Sequence, residues 1–113
     1  MFPNAAGSIS EAYDISNIIY IEVSGYKEYL VLLKNGQKKA VKSVSFRDLC
    51  DYISKCDIVE LQPVSRNEVI NINYIKSVSM ENNGRITLAL LGMDRDIHIG
   101  KNYTAKFRDW YIE

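Results

Sequence analysis

The dipeptide Asn35-Gly36, set between two stretches rich in apolar residues, most limits what this chain can become. Both residues tolerate positive φ, which a two-residue hairpin turn of the favoured hand requires. The chain therefore doubles back there and pairs its flanks as antiparallel strands. The upstream flank agrees: Ile19, Ile21 and Val23 alternate with Tyr20, Glu22 and Ser24, the period of a half-buried strand. Residues 28–34 carry a nearly continuous apolar run, Ser24-Gly25 supplies the turn between the two, and a third strand is expected over residues 37–41.

The period then changes. Phe46, Leu49, Cys50 and Ile53 fall at i, i+3, i+4 and i+7, and Ser45 with Asp48 resembles a capping box, which predicts one short helix. Strand signals return over residues 58–61, 75–80, 85–91 and 95–99. Asn82-Asn83-Gly84 and Gly92-Met93-Asp94 separate the last three as successive hairpins. Tyr103, Phe107, Trp110 and Tyr111 lie at helical spacing and predict a closing helix with an aromatic face. One long connection, residues 62–73, interrupts this economical layout and is the natural seat of function. Residues 1–17 hold Pro3, Gly7, Ser8 and Ser10 without sustained periodicity, so a flexible arm or linker is expected there, with one domain over residues 18–113. A chain of 113 residues is long enough for one modest core.

Composition narrows the function. Fourteen Lys plus Arg balance fourteen Asp plus Glu, so no global field draws the chain onto nucleic acid or an anionic membrane, and any DNA binding must come from local clustering. The longest apolar runs fall far short of the roughly 20 residues that span a bilayer, and no basic-then-apolar leader opens the sequence. A cytoplasmic location without membrane insertion is expected. Two cysteines, Cys50 and Cys56, and a single histidine do not supply the ligands of a tetrahedral zinc site, so no metal and no cofactor is expected. Cys50 on the apolar helical stripe reads as a small core residue. His98, between Ile97 and Ile99, reads as a strand-surface residue with no nucleophile beside it. No Gly-rich phosphate loop, His-Glu-x-x-His helix or Gly-x-Ser-x-Gly elbow occurs, so nothing supports an enzyme.

The segment Ser65-Arg66-Asn67-Glu68-Val69-Ile70-Asn71-Ile72-Asn73-Tyr74-Ile75 resembles the signature of the LytTR family of bacterial DNA-binding domains. That signature runs His-Arg-Ser, a bulky residue, an aliphatic pair, Asn, then Ile. Upstream, Ile19-Tyr20-Ile21-Glu22 followed by Tyr26-Lys27-Glu28-Tyr29 is similar to the family's opening strand and first loop. Downstream, Ile97-His98-Ile99-Gly100-Lys101-Asn102-Tyr103 is similar to its closing strand and the basic loop before the last helix. The resemblance covers residues 18–112 in family order. It implies a mainly β fold, an elongated arrangement of small antiparallel sheets with one short helix mid-chain and one at the carboxyl end. It also implies a transcriptional regulator, or the DNA-binding domain of a response regulator, that inserts loops into successive major grooves of promoter DNA. The implied partners are double-stranded promoter DNA with repeated half-sites and an upstream receiver domain or regulatory protein.

Carried over by position, Arg66 matches the polar loop residue, Lys101 with Asn102 the basic turn before the final helix, and Lys27 with Glu28 the first contact loop. Asn71 matches the Asn that structures the loop. Ser65 stands where the family usually has His, Pro63 where an Arg is common, and Gly100 where Ser is common, so two familiar contacts are missing. The DNA-facing set is therefore Lys27, Glu28, Ser65, Arg66, Asn67, Lys101 and Asn102, with Lys42 as a phosphate contact. Arg66 is a base reader on this view and a surface partner of Glu68 on the plainer one. Lys38, Lys39 and Lys42 read as lysines that protect a sheet edge, and Tyr103, Phe107 and Trp110 as core packing rather than a base-stacking platform. The alternative function is a LytTR-like module with reduced base readout that binds protein.

Overall fold

A computed structural model of the chain describes residues 2–3, 9–11 and 14–111, with burial described from residue 14 onward except at Trp110. In chain order the strands are β1 (Phe2–Pro3), β2 (Ile9–Glu11), β3 (Ile18–Gly25), β4 (Glu28–Leu33), β5 (Lys38–Lys42), β6 (Leu61–Ser65), β7 (Glu68–Asn71), β8 (Ile75–Met80), β9 (Ile86–Leu90) and β10 (Ile97–His98). Helix α1 (Phe46–Lys55) lies between β5 and β6, and α2 (Thr104–Tyr111) ends the described chain. The five-stranded sheet runs β5-β4-β3-β7-β6 and the three-stranded sheet β10-β9-β8, while β1 pairs with β2. All the pairings are antiparallel. The molecule is elongated, 44 × 27 × 25 Å, and mainly β.

The five-stranded sheet is a shared wall with a core on each face. On one face Ile18, Ile21, Tyr29, Val31, Val41 and Val69 pack with Leu49 and Ile53 of α1. On the other, Ile19, Tyr20, Leu32, Val64 and Ile70 pack with Ile86, Leu88, Leu90 and Ile97 of the second sheet and Phe107 of α2. Burial on both faces is why β4 reads as a nearly continuous apolar run. The hairpin forms at Asn35-Gly36, but only Gly36 takes positive φ, at 88°, and Leu33 N–H donates to Gln37 O at 2.8 Å, so the loop covers residues 34–36 rather than two residues. Ser45 caps α1, its Oγ accepting from Asp48 N–H at 3.2 Å.

Four sequence expectations are corrected. Ile19 and Ile21 do not share a face: the β3–β4 register shifts between Ile18 and Tyr20, and this bulge sends Ile19 and Tyr20 to the second core while Ile18 and Ile21 face α1. Of the strand expected over residues 58–61 only Leu61 is in one, as the first residue of β6. Asp57 at φ 56° ends α1 in the left-handed region, Asp57 N–H donates to Ser54 O and Ile58 N–H to Ile53 O, so Ile58 belongs to the helix terminus. The presumed connection over residues 62–73 is instead the hairpin β6–β7 with Arg66-Asn67 as its turn, and β7 pairs with β3. Pro63 fits in β6 because β6 is the sheet edge, where a missing N–H is tolerated. The last strand shrinks from residues 95–99 to Ile97–His98, because Arg95 turns toward the first sheet. Of the arm expected over residues 1–17, residues 1, 4–8 and 12–13 lie outside the described residues; in its described part β1 pairs with β2 and Asp14 caps a 3-10 turn at Ile15–Asn17.

Candidate nucleic-acid interface

Antiparallel pairing brings distant turns to one end of the five-stranded sheet. Glu28 pairs with Gly25 of β3 and Lys42 of β5, and Ser43 N–H donates to Lys27 O at 2.8 Å, so Lys27, Glu28 and Lys42 cluster. Val23 N–H donates to Asn67 O at 2.9 Å, which sets the Arg66-Asn67 turn beside them. Gly100 N–H donates to Val64 O at 2.7 Å and docks the 3-10 turn Lys101–Tyr103 against β6. All seven expected DNA-facing residues and Lys42 thus lie at this end.

Ser65, Arg66 and Asn67 face Gly100, Lys101 and Asn102 across a shallow open cleft of about 650 Å³. The close approach explains Gly100. A Cβ there would meet the Tyr103 ring at 3.2 Å and the Ser65 Cα and Val64 O at 3.4 Å, tighter than side chains ordinarily pack. Arg66, Asn67, Lys101 and Asn102 are exposed. On the far side of Lys101 a second cleft is lined by Asn83, Arg85, His98 and Thr104. The sequence reading took Asn82-Asn83-Gly84 only as a turn and missed Arg85, whose signal was its place directly after that turn. Arg85 is exposed and its nearest carboxylate is Glu81 at 4.0 Å. His98 is exposed, its Nδ1 3.2 Å from Thr87 Oγ1.

Glu68, the partner that the plainer view gave Arg66, is engaged elsewhere. Its Oε2 accepts from the Tyr20 hydroxyl at 2.5 Å and its Oε1 from the Ser65 hydroxyl at 2.8 Å, and Arg95 Nη1 stands 3.9 Å away. Arg95 Nη2 also donates to the Tyr20 oxygen at 2.8 Å and to Glu22 at 3.2 Å, with its guanidinium 5.3 Å from the Tyr20 ring centroid. Burial, then the bond to Glu68, pushes the Tyr20 hydroxyl far above the ordinary tyrosine range. The bond to Tyr20 holds Arg95 charged. Arg66 has no ion pair among the described residues, and neither do Lys27, Lys42 and Lys101.

The other residues singled out from the sequence sort cleanly. Asn71 is fully buried: its Nδ2 donates to Ile18 O at 2.9 Å and Ile15 O at 3.2 Å, and its Oδ1 accepts from Asn73 N–H at 2.9 Å. Pro63 lines a groove with Cys50 and Ile53 of α1, away from the Arg66 cleft. Lys38, Lys39 and Lys42 are exposed on edge strand β5. Phe107 is buried and Tyr103 packs partly against the second core, so neither offers a free stacking face; the Trp110 side chain lies outside the described residues. Among the described residues no cluster of three or more His, Cys, Asp or Glu is placed to hold a metal, and no helix is long and apolar enough to cross a membrane. What the end of the sheet does present is a row of cations without an ion pair among the described residues, with the exposed Asn67 and Asn102 side chains beside them, donors that phosphate oxygens and base edges accept.

The comparisons with known proteins agree with this geometry. No curated protein matches the sequence. A solved structure from Bacillus cereus, described as the LytTr DNA-binding domain of a methyl-accepting/DNA response regulator, superposes with a TM-score of 0.68 at 18% identity, over 86% of this chain and 83% of that one. The sequence pattern of the LytTr DNA-binding domain matches residues 10–112. The chain belongs to the LytTr family of DNA-binding domains.

Proposed function

We propose that this chain regulates transcription by reading promoter DNA in a sequence-specific way with the turn end of the five-stranded sheet. Arg66 and Asn67 contact base edges from the tip of the β6–β7 hairpin, a two-stranded ribbon of the kind a major groove about 12 Å wide admits. Lys101 and Asn102 hold the adjoining phosphate, Lys27 and Lys42 meet the backbone beyond β3, and Glu28 faces the next groove, where a carboxylate accepts from the cytosine N4 amine. Repeated half-sites are the natural target of several turns presented in a row. The observation that carries the reading is the engagement of Glu68 by Tyr20, Ser65 and Arg95, which leaves the exposed Arg66 guanidinium without an internal partner on the cleft it shares with Lys101.

The test is a salt series of fluorescence anisotropy titrations against genomic fragments selected by the chain and against scrambled duplexes. Arg66→Ala should lower the preference for selected over scrambled DNA by about 1–3 kcal/mol. Lys101→Ala should weaken binding to both alike and flatten the salt dependence by about one phosphate contact. Absence of binding to any duplex at low salt refutes the reading. Unchanged affinity in both variants favours instead a protein-binding module that has given up base readout, the role that Ser65 and Pro63 would then mark. The neutral net charge predicts weak non-specific binding in either case.

A further inference from the structure

Ser65 Oγ carries one proton yet stands within hydrogen-bond distance of two acceptors, Glu68 Oε1 at 2.8 Å and Asn67 Oδ1 at 2.9 Å. A hydroxyl serves one of them at a time. The Glu68 carboxylate has no proton to return, and its other oxygen already accepts from Tyr20. The Asn67 amide has an alternative, because a half-turn about its terminal bond brings NH2 to the Ser65 oxygen, which accepts through its lone pairs. With Ser65 donating to Glu68 and Asn67 donating to Ser65, every group in the chain is satisfied. Hydrogen bonds then run inward from both ends: Arg95 to Tyr20, Tyr20 to Glu68, and from the other side Asn67 to Ser65 and Ser65 to Glu68. This order leaves the Asn67 carbonyl oxygen and one N–H facing out of the cleft.

We propose that Arg95, Tyr20, Glu68 and Ser65 are positioning residues that fix the orientation of the Asn67 amide and thereby set which base the turn reads. An outward carbonyl beside an outward N–H matches adenine, which offers an amine at N6 and an acceptor at N7. The reverse orientation commits the carbonyl to Ser65 and leaves donors alone, which suit the O6 and N7 acceptors of guanine. The relay reaches across both sheets, since Arg95 lies 75 residues from Tyr20 and is supplied by the segment between β9 and β10. This inference rests on the DNA-reading function proposed above.

Two measurements on the full chain test it separately. NMR of the side-chain amides in the free protein reports whether the Asn67 NH2 protons lie against the Ser65 methylene. Selection from a randomised duplex library reports the base preference. Wild type should show the Asn67 contact and select adenine at one position of its site. Glu68→Gln, near in shape but able to offer protons to Ser65, should lose that adenine preference by about tenfold or exchange it for guanine, with the other positions unchanged. Arg95→Met, at a side chain 55% exposed and so tolerant of change, should shift the preference in the same direction by a smaller factor. The same base selected by all three proteins overturns the proposal, as does a free protein in which the Asn67 carbonyl faces Ser65. Uniform weakening of Arg95→Met with a flatter salt dependence also overturns it, since Arg95 would then be a phosphate contact. A wild type that selects no sequence refutes the DNA reading and the base-setting role with it, and the amide signals show in that case whether the relay itself is present.

Discussion

The two ends of the five-stranded sheet are finished in opposite ways. Where β3 begins and β7 ends, polar groups are turned inward and satisfied: the Asn71 side chain holds two carbonyls and an N–H, and the Tyr74 hydroxyl donates to Ser16 O. Where β3 ends and β7 begins, Arg66, Lys42 and Lys101 are exposed and unpaired among the described residues. Both ends are rich in hydrogen-bonding groups, so composition does not separate them. What separates them is where the bonds go, to the chain itself at one end and to a partner at the other. On the function proposed above, stability is concentrated in the first and recognition in the second.

Breaking the sealed end should have the largest effect. Asn71→Ala takes the side-chain donor from Ile18 O, leaves Ile15 O with only the Ile18 N–H, frees Asn73 N–H, and should destabilise the fold by about 1–3 kcal/mol in urea unfolding. The folded fraction should keep its DNA preference; a loss of preference in that fraction would dissolve the division between the ends. Next comes the seam between the turns. Gly100→Val sets a branched side chain against the Tyr103 ring and the β6 backbone, and should destabilise by about 1–3 kcal/mol while parting Lys101 from the Arg66 turn. DNA affinity measured well below the melting transition should fall, and an unaltered affinity would show that the two turns work apart.

Smaller effects sharpen the contrast. Lys42→Ala at the open end should leave urea unfolding within about 0.5 kcal/mol of wild type and lower DNA affinity by no more than about threefold at moderate salt, as one exposed phosphate contact does. A stability loss of the size expected for Asn71→Ala would contradict the assignment. An effect confined to alkaline pH concerns the core beneath α1. Burial pushes the Cys50 thiol from 9.0 up to about 11 and the Tyr29 hydroxyl from 10.0 up to about 12. Both groups favour the protonated folded form, so their contribution is complete below about pH 9, where folded and unfolded chains alike keep these protons. It is lost as pH rises to about 12, because the unfolded chain ionises first. Stability should be flat to about pH 9 and then decline, and Cys50→Ala should remove the part of the decline between about pH 9 and 11.

The sequence made much of the fold legible wherever a local signal coincided with a local structure. Asn35-Gly36, the Ser45 cap and the hairpins after residue 75 required only their own neighbours. The errors came where distant parts overrode the pattern. Alternation in β3 cannot announce a bulge at Ile19, because the extra residue is accommodated by a second core that later strands supply. The β6–β7 hairpin went unread because β6 is held only by its pairing with β7, which in turn pairs with β3. At the candidate site, the residues singled out through family resemblance do gather at one end, whereas Arg85 and Arg95 were passed over. Nothing near Arg95 in the chain hints at Tyr20 or Glu68, since only the packing of one sheet on the other brings them together.

The bulge in β3 has a consequence for how such a chain can change over time. Because the strand turns over once at Ile19, each residue after it is assigned to its layer by counting from that point. Substitutions are judged one position at a time, but removing Glu22 would turn Val23 from the face of α1 toward the second sheet, whereas removing Ile19 itself would only restore regular alternation. Drift in side-chain identity is open along this strand, and drift in its length is open only at the bulge.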